Sequence, residues 1–300
     1  MIPRLVVLIL GFACLGCIFA DTPEYDWKPR ETRKKHQPIL TALRDYNSVM
    51  YDFARMPSKV KEYQLPAGMF TESGKVKNLG YRNSEEGIHV GSRKNFTDAD
   101  RRAKYSRITV EFDGLYCDYY GEDAFTVDPL AKAIIRKGQW KGRRSSGSDR
   151  NPGNDKCFQV DGGRLELRAK YKGAIIIENA KHAVRGKANS IIIVDGVDFV
   201  DCERCVVGDG KRNPPSKSAR YFNGAPGRCL ILVKNCRFWN CKTLVQADEN
   251  CYIYWSGSNQ VIGRRGSIKD EGGTIKRGAD LTERFYEEVE KLYRQDSNEW

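Results

Sequence analysis

Apolar residues in the middle of the chain occur in short runs that are separated by Gly, Asn and Asp. The runs at 175–177 and 191–194 are apolar throughout, which is typical of densely packed strands. Several runs follow one order: an apolar strand, Asn or Asp-Gly, an aromatic residue and then another strand. The pattern predicts an all-β core built from the segments "RITVEF", "AIIIENA", "SIIIVDGVDFVDC", "CLILVKNCRFWNC" and "CYIYWSGSNQVIG".

Six apolar strands can be aligned with one another, and their starts are separated by 36, 33, 26, 22 and 39 residues. The shortest intervals fit one turn of a parallel β-helix, in which each rung covers the apolar face of its neighbour. The longer intervals contain polar inserts at 91–107, 141–154 and 209–228, which we predict to be loops. The pattern favours a parallel β-helix over an irregular β-sandwich. The six strands start at Ile88, Ala124, Cys157, Ala183, Cys205 and Leu244.

Helical spacing of apolar residues flanks this region on both sides. Residues 37–54 predict one amphipathic helix, and the segment "DLTERFYEEVEKLYRQ" predicts a second helix capped by Asp280 or Thr282. The predicted organisation is a signal peptide at 1–20, an extension with a helical cap at 21–75, a β-helix domain at 76–275 and a C-terminal helix at 276–300. The apolar positions are Ile39, Leu43, Tyr46, Met50 and Phe53 in the first helix and Leu281, Phe285, Val289 and Leu292 in the second.

The first 20 residues have the features of a secretory signal peptide. One early positive charge, Arg4, precedes an apolar run from Leu5 that ends at the small residue Ala20. A signal anchor is the alternative, but the apolar run is short for a bilayer span. No other segment of the sequence could cross a membrane. The sequence therefore predicts a secreted, extracellular protein, and the "NFT" at Asn95 is a glycosylation sequon consistent with that route.

Eight cysteines lie outside the predicted signal peptide. An even number in an exported chain predicts disulfides, with 105 pairings possible if all eight take part. The "CERC" segment that begins at Cys202 could instead be half of a zinc site, but the other cysteines do not follow zinc-ribbon spacing. Disulfides are therefore the prediction. The eight are Cys117, Cys157, Cys202, Cys205, Cys229, Cys236, Cys241 and Cys251.

The chain is strongly basic, with 51 Lys and Arg against 39 Asp and Glu, a net charge of +12. Such a balance favours a polyanionic partner. The basic residues are scattered through predicted loops, and no nucleic-acid-binding motif accompanies them. For an exported chain with 30% charged residues, we expect a monomer whose partner is an acidic polysaccharide, and neither a nucleic acid nor a membrane.

Three segments carry a family resemblance: "VKNLGYRNSEEGIHV", "YYGEDAFTV" and "NDKCFQVDGG". In this order, on successive predicted rungs, they resemble the pectate lyases of polysaccharide lyase family 3. The resemblance covers residues 76–189 and extends more loosely to Cys251, whereas the opening rungs of the family are not recognisable before residue 76. It implies a right-handed parallel β-helix that cleaves polygalacturonate by calcium-dependent β-elimination.

The resemblance also implies roles for individual residues. The calcium ligands would be Glu86, Glu122 and Asp123, and the reactive bases would be Lys156 and Arg185. The chain departs from the family at two positions. Glu86 replaces the usual Asp of the first ligand, and His182, with Lys181 beside it, stands where the family has a Lys. His182 and Lys181 are the predicted substrate-binding residues.

The chemistry of these residue types agrees with that reading. Glu86 and Glu122 each precede the start of a predicted strand by two residues, so we expect them at matching places on rungs about 5 Å apart. Calcium would relieve the repulsion between the adjacent carboxylates of Glu122 and Asp123 and bridge to a substrate carboxylate, which acidifies the C5 proton. Lys156 or Arg185 could take this proton, and the sequence does not divide their roles. Two alternatives remain: a non-catalytic binder of acidic glycans on the same scaffold, and a disulfide-linked interaction protein.

Overall fold

The computed structural model describes residues 28–30, 50–52, 68–70, 73–82, 86–91, 108–118, 123–128, 131–142, 156–187, 190–210 and 228–298. These residues form 22 strands and one helix. The strands are β1 (Lys28–Arg30), β2 (Met50–Asp52), β3 (Gly68–Phe70), β4 (Gly74–Arg82), β5 (Glu86–Val90), β6 (Thr109–Asp118), β7 (Asp123–Val127), β8 (Lys132–Lys141), β9 (Lys156–Val160), β10 (Arg164–Arg168), β11 (Ile175–Glu178), β12 (His182–Lys187), β13 (Ile191–Asp195), β14 (Asp198–Val200), β15 (Arg204–Asp209), β16 (Cys229–Lys234), β17 (Arg237–Trp239), β18 (Thr243–Asp248), β19 (Cys251–Ser256), β20 (Gln260–Ile262), β21 (Ser267–Glu271) and β22 (Thr274–Gly278), and the helix is α1 (Thr282–Asn298).

The strands from β3 onward wind into a coil with three faces. One face is the eight-stranded sheet β21-β18-β15-β12-β9-β7-β5-β3. The long strand β8 pairs with β10 through its first half and with β11 through its second half, so the other sheet divides there into two faces. One of these continues through β13, β16, β19 and β22, and the other through β14, β17 and β20. All of these pairings are parallel, which confirms the predicted all-β parallel β-helix.

The sequence alignment of strands agrees with the eight-stranded sheet. The six aligned segments lie on β5, β7, β9, β12, β15 and β18, which are consecutive neighbours in that sheet. The register differs by one residue at the first step, because Ile88 pairs with Phe125 rather than with Ala124. Strands of the coil begin at Gly68 and end at Gly278, somewhat beyond the predicted boundaries of 76 and 275.

The interior is filled by side chains that stack from rung to rung. The rings of Phe112, Phe125 and Phe158 follow one another at centroid distances of 5.4 and 5.5 Å. Farther along, Phe238 stacks between Phe199 and Trp255. Because each rung buries its apolar face only against its neighbours, no single rung is stable alone, and the continuous core explains why apolar runs recur along so much of the sequence.

Asn and Asp end strands at equivalent corners of successive rungs. Asn179, Asp201 and Asn240 have φ angles of 56°, 51° and 54°, in the left-handed region that these two residue types tolerate. The backbone N–H of each donates to a carbonyl of the following rung, on Val200, Trp239 and Ile262 respectively. The recurring Asn and Asp of the sequence therefore turn the chain from one face of the coil to the next.

All eight cysteines are buried and none of them forms a disulfide, so the disulfide prediction is wrong. The thiols of Cys202 and Cys241 follow the corner residues Asp201 and Asn240 and point at carbonyl oxygens of the preceding rung, on Ile177 and Phe199. They fill the interior as small apolar side chains. Cys202 and Cys241 therefore recur because they follow equivalent corners of the coil, and the even number of cysteines no longer supports export.

We expect these thiols to be unreactive in the folded protein. Burial raises the pKa of Cys202 and Cys205 well above the usual value and raises that of Cys236 to about 12, whereas hydrogen bonds from Cys202 and Cys205 lower the pKa of Cys241 to about 5. All eight thiols are buried, so a reagent in solution does not reach them. A thiol-specific colorimetric reagent should label none of the eight in folded protein and all of them in denaturant. A mass two hydrogens lower for any pair after denaturation without reductant would contradict this.

Helix α1 covers the outer face of β13, β16 and β19. The Asp280 side chain accepts a hydrogen bond from the backbone N–H of Thr282, which confirms the predicted helix and assigns the cap to Asp280. Phe285 and Val289 pack against Ile191, Ile193, Leu230, Leu232 and Tyr254. Within the described residues no helix is long and apolar enough to cross a membrane.

The predicted N-terminal helix is wrong at its end. Met50–Asp52 form strand β2, which pairs antiparallel with β1. The remaining residues of the predicted helix, the predicted signal peptide and the sequon at Asn95 lie outside the described residues.

A buried carboxylate surrounded by three cations links α1 to the coil. The Glu166 carboxylate lies 2.9 Å from Lys132 Nζ, 2.7 Å from Arg164 Nη2 and 2.6 Å from Arg168 Nε. Arg168 also donates a hydrogen bond to the Tyr286 hydroxyl of α1. Burial alone would raise the pKa of Glu166, but the hydrogen bonds from Lys132 and Arg168 and the nearby guanidinium charges lower it to about 2.

This shift predicts acid sensitivity. A carboxylate whose pKa is lower in the folded state stabilises the protein above its unfolded pKa near 4.5, and that stabilisation is lost as the pH falls toward about 2. We expect Glu166→Gln to lower the free energy of unfolding at neutral pH by about 3 kcal/mol and to have almost no effect near pH 2. Urea unfolding across this pH range checks it, with the exposed Glu287→Gln as the control. An equal loss at both pH values would contradict the linkage.

In the described part of the chain, no strand covers the last rung of the coil. Strands β20, β21 and β22 each pair with only one other parallel strand among the described residues. Their inward-facing residues Val261, Ile268 and Ile275 continue the core, and Val261 is 44% exposed. Asp270, also exposed, occupies the inward-facing place above the buried Ala247.

Candidate functional site

A row of polar residues runs across the outer face of the eight-stranded sheet. Parallel pairing aligns one residue from each of seven neighbouring strands, all at or near the start of the strand. We call this set the polar row. Its members are Glu86, Asp123, Lys156, His182, Arg204, Thr243 and Ser267.

Asp123 and Lys156 form a buried ion pair in the polar row. The Lys156 Nζ lies 2.7 Å from Asp123 Oδ1, and the two residues are only 5% and 4% exposed. Lys and Asp are rarely buried unless they are paired, and this ion pair meets that requirement for both residues. Glu86 pairs in register with Asp123 and not with Glu122, which corrects the alignment expected from the sequence by one residue. Glu122 itself and the side chain of Glu86 lie outside the described part of the site.

His182 follows Lys156 in the row and contacts Arg204. The His182 Nε2 lies 2.8 Å from Arg204 Nη1. Because a guanidinium has only donors, Nε2 accepts this hydrogen bond and the proton of the neutral ring is on Nδ1. The exposed Lys181 lies in the turn before β12, where its carbonyl accepts the backbone N–H of Arg204.

Arg185 lies on the same strand as His182 but in the next outward-facing row. Its Nη2 donates to the carboxylate of Asp209 on the neighbouring strand β15. The pair is partly exposed, so substrate or water can reach the remaining donors of the guanidinium. Arg185 is therefore close to the polar row while already carrying a counter-ion.

A second buried polar group borders the row. His89 is fully buried, and its Nδ1 lies 3.4 Å from Asp128 Oδ2. Thr126 and Gln159 align with His89 on the next two strands, and the Oγ1 of Thr126 and Oε1 of Gln159 are buried without a protein hydrogen-bond partner. These buried atoms are suited to ordered water.

The calcium prediction depends on carboxylates at the start of the polar row. Calcium prefers several oxygen ligands, and the register of Glu86 and Asp123 brings two carboxylate-bearing residues to adjacent strands. The Lys156 ammonium, however, already contacts Asp123 Oδ1. Within the described ranges, no three His, Cys, Asp or Glu side chains are arranged to hold a metal ion. The chemistry of the donor set thus fits a hard cation, provided that the cation displaces Lys156 from Asp123.

The chain matches no protein-family model, and no curated protein or solved structure is detectably similar to it. The interpretation of the site therefore depends on the residues of the sheet themselves.

The sequence interpretation missed Arg204 and Asp209. Arg204 immediately precedes the aligned segment "CVVG", as Lys156 precedes "CFQV" and His182 precedes "AVRG". The same alignment that identified the strands could therefore have found Arg204. Asp209 had no such signal. It contacts Arg185 although the residue aligned with Arg185 on the neighbouring strand is Val207, two positions earlier.

Proposed function

We propose that the protein is a secreted pectate lyase-like enzyme that cleaves polygalacturonate by calcium-dependent β-elimination. The observation that most supports this proposal is the alignment of Glu86, Asp123 and Lys156 on three adjacent strands, with Lys156 in contact with Asp123. The net charge of +12 favours an acidic polymer as the partner.

In the elimination, a base removes the C5 proton of a uronate residue. The C–H electrons form the C4=C5 double bond, the C4–O bond breaks, and the leaving oxygen takes up a proton. Calcium held by Asp123, Glu86 and Glu122 would supply positive charge to the substrate carboxylate and so acidify the C5 proton.

The contacts in the site support one assignment of roles to the two candidate bases. An arginine side chain stays protonated in proteins, and Arg185 is already paired with Asp209. We therefore assign substrate orientation to Arg185 and proton removal to Lys156. Lys156 is held by Asp123 in an ion pair, so we expect it to act as a base only when another cation takes its place at Asp123.

The direct test is to incubate the purified full chain with polygalacturonate and to follow the ultraviolet absorbance of unsaturated product. We expect absorbance to rise with calcium and to stop when a chelator is added. The absence of product across neutral to alkaline pH, with calcium present, would contradict the lyase proposal.

A non-catalytic binder of acidic polysaccharide is the second candidate. The observation in its favour is that both candidate bases, Lys156 and Arg185, are engaged in ion pairs. Binding of polygalacturonate without product in the same experiment would select it. The third possibility is an interaction protein held by disulfides, and the eight cysteines form none. It predicts no binding of polygalacturonate and no effect of calcium.

A further inference from the structure

Arg204 is the one member of the polar row whose charge is not balanced by a carboxylate in the described structure. Asp123 balances Lys156, and Asp209 balances the nearby Arg185. The side chain of Arg204 instead contacts the His182 ring. Among the described residues, this half-buried guanidinium has no acidic partner and is therefore an uncompensated positive charge on the sheet.

The contact with His182 leaves most of the guanidinium available. A guanidinium carries five N–H donors, and only Nη1 is directed at His182 Nε2. The planar group can bind a carboxylate through two parallel hydrogen bonds, a geometry that a lysine ammonium does not offer. His182 fixes the direction of Arg204 toward the Lys156 side of the row.

We infer that Arg204 is a substrate-binding residue that takes a carboxylate of the acidic polysaccharide, and that His182 is a positioning residue that orients it. This inference rests on the proposed function insofar as the ligand is a polyuronate. It also accounts for the departure of His182 from the family pattern: the positive charge that the resemblance leads us to expect at 182 is supplied one strand farther along, by Arg204.

The test compares Arg204→Gln with the wild-type chain in calcium-containing buffer. Initial rates of product formation over a range of polygalacturonate concentrations give kcat and KM, and calorimetric titration with a galacturonate oligomer gives Kd. We expect KM and Kd to increase between about 10- and 100-fold, the loss of one charge-assisted carboxylate contact, with kcat changed much less. The matched control is Arg265→Gln, which removes the same charge at an exposed turn outside the row.

Two further variants separate charge from geometry. Arg204→Lys keeps the charge and loses the paired donors, so its KM should lie between those of wild type and Arg204→Gln. A His182→Lys/Arg204→Gln double variant returns the charge to 182, and it should recover at least several-fold of the lost affinity. If Arg204→Gln unfolds, Arg204→Lys and His182→Ala provide the comparison, since His182→Ala should raise KM by mispositioning Arg204.

The outcomes distinguish the inference from the proposed function. Normal wild-type turnover with an unchanged KM in Arg204→Gln would overturn the inference and leave the lyase intact. If wild type binds polygalacturonate without turning it over, and Arg204→Gln binds it more weakly, the lyase proposal is overturned. The inference about Arg204 would then hold for a non-catalytic binding protein. Neither binding nor turnover by wild type would overturn both.

Discussion

Replacement of Lys156 by methionine is expected to reduce calcium-dependent turnover of polygalacturonate by at least about 1,000-fold, because the base of the elimination is removed. The same substitution should also destabilise the protein. Asp123, which is 4% exposed, would keep its charge without the ammonium that lies 2.7 Å away. Breaking a buried ion pair in this way costs about 3–5 kcal/mol. Product formation and urea unfolding of the same preparation measure the two effects.

A double variant separates catalysis from folding. Asp123→Asn/Lys156→Met removes both charges of the pair, so most of the lost stability should return while turnover stays absent. An exposed substitution, Lys269→Met, is the control for a general change of charge. Recovery of turnover together with stability in the double variant would show that Lys156 has only a structural role.

Replacement of Arg237 by alanine should be among the most destabilising single changes in the coil. Arg237 makes two hydrogen bonds to the carboxylate of Asp198, which is 1% exposed on the outer face of β14. Its guanidinium also lies over the Trp239 ring, with 5.7 Å to the centroid. Without Arg237 a buried carboxylate has lost its partner, and we expect a loss of about 3–5 kcal/mol.

Equilibrium unfolding in urea, followed by intrinsic fluorescence and circular dichroism, measures this loss. Asp198→Asn/Arg237→Met, which removes the pair and keeps most of its volume, should be considerably more stable than Arg237→Ala. Arg264→Ala, at an exposed turn, should change little. If Arg237→Ala unfolds at the wild-type midpoint, water or another group must already compensate Asp198.

The parallel β-helix could be predicted from the sequence because its repeat is visible in the residues themselves. Each corner requires a residue that tolerates a positive φ, and Asn179, Asp201 and Asn240 recur for that reason. Each rung also repeats an apolar strand at the same place on the coil. What the sequence could not give is exact register, since a shift of one residue, as between Glu86 and Glu122, depends on backbone pairing.

The disulfide prediction was wrong for an equally physical reason. A prediction from the number of cysteines depends only on the redox environment of the chain. Formation of a disulfide also depends on the direction in which each cysteine side chain points. In the coil, Cys202 and Cys241 direct their sulphur atoms at carbonyl oxygens of the rung before them. Lys156 and His182 could be predicted as neighbours because both follow the same alignment of strands. The ion pair between Arg185 and Asp209 could not be predicted in this way.

The exposed last rung has a consequence for how the protein behaves at high concentration. A coil that ends with the unpaired edges of β20, β21 and β22 could in principle be extended by strands of another molecule. Asp270 places a charge where an added strand would need an apolar contact, and Lys269 and Glu271 place charges on either side of it. Burying the Asp270 carboxylate in such a junction would be unfavourable. We therefore expect the charge at this position, which interrupts the apolar interior, to oppose growth of the coil into filaments.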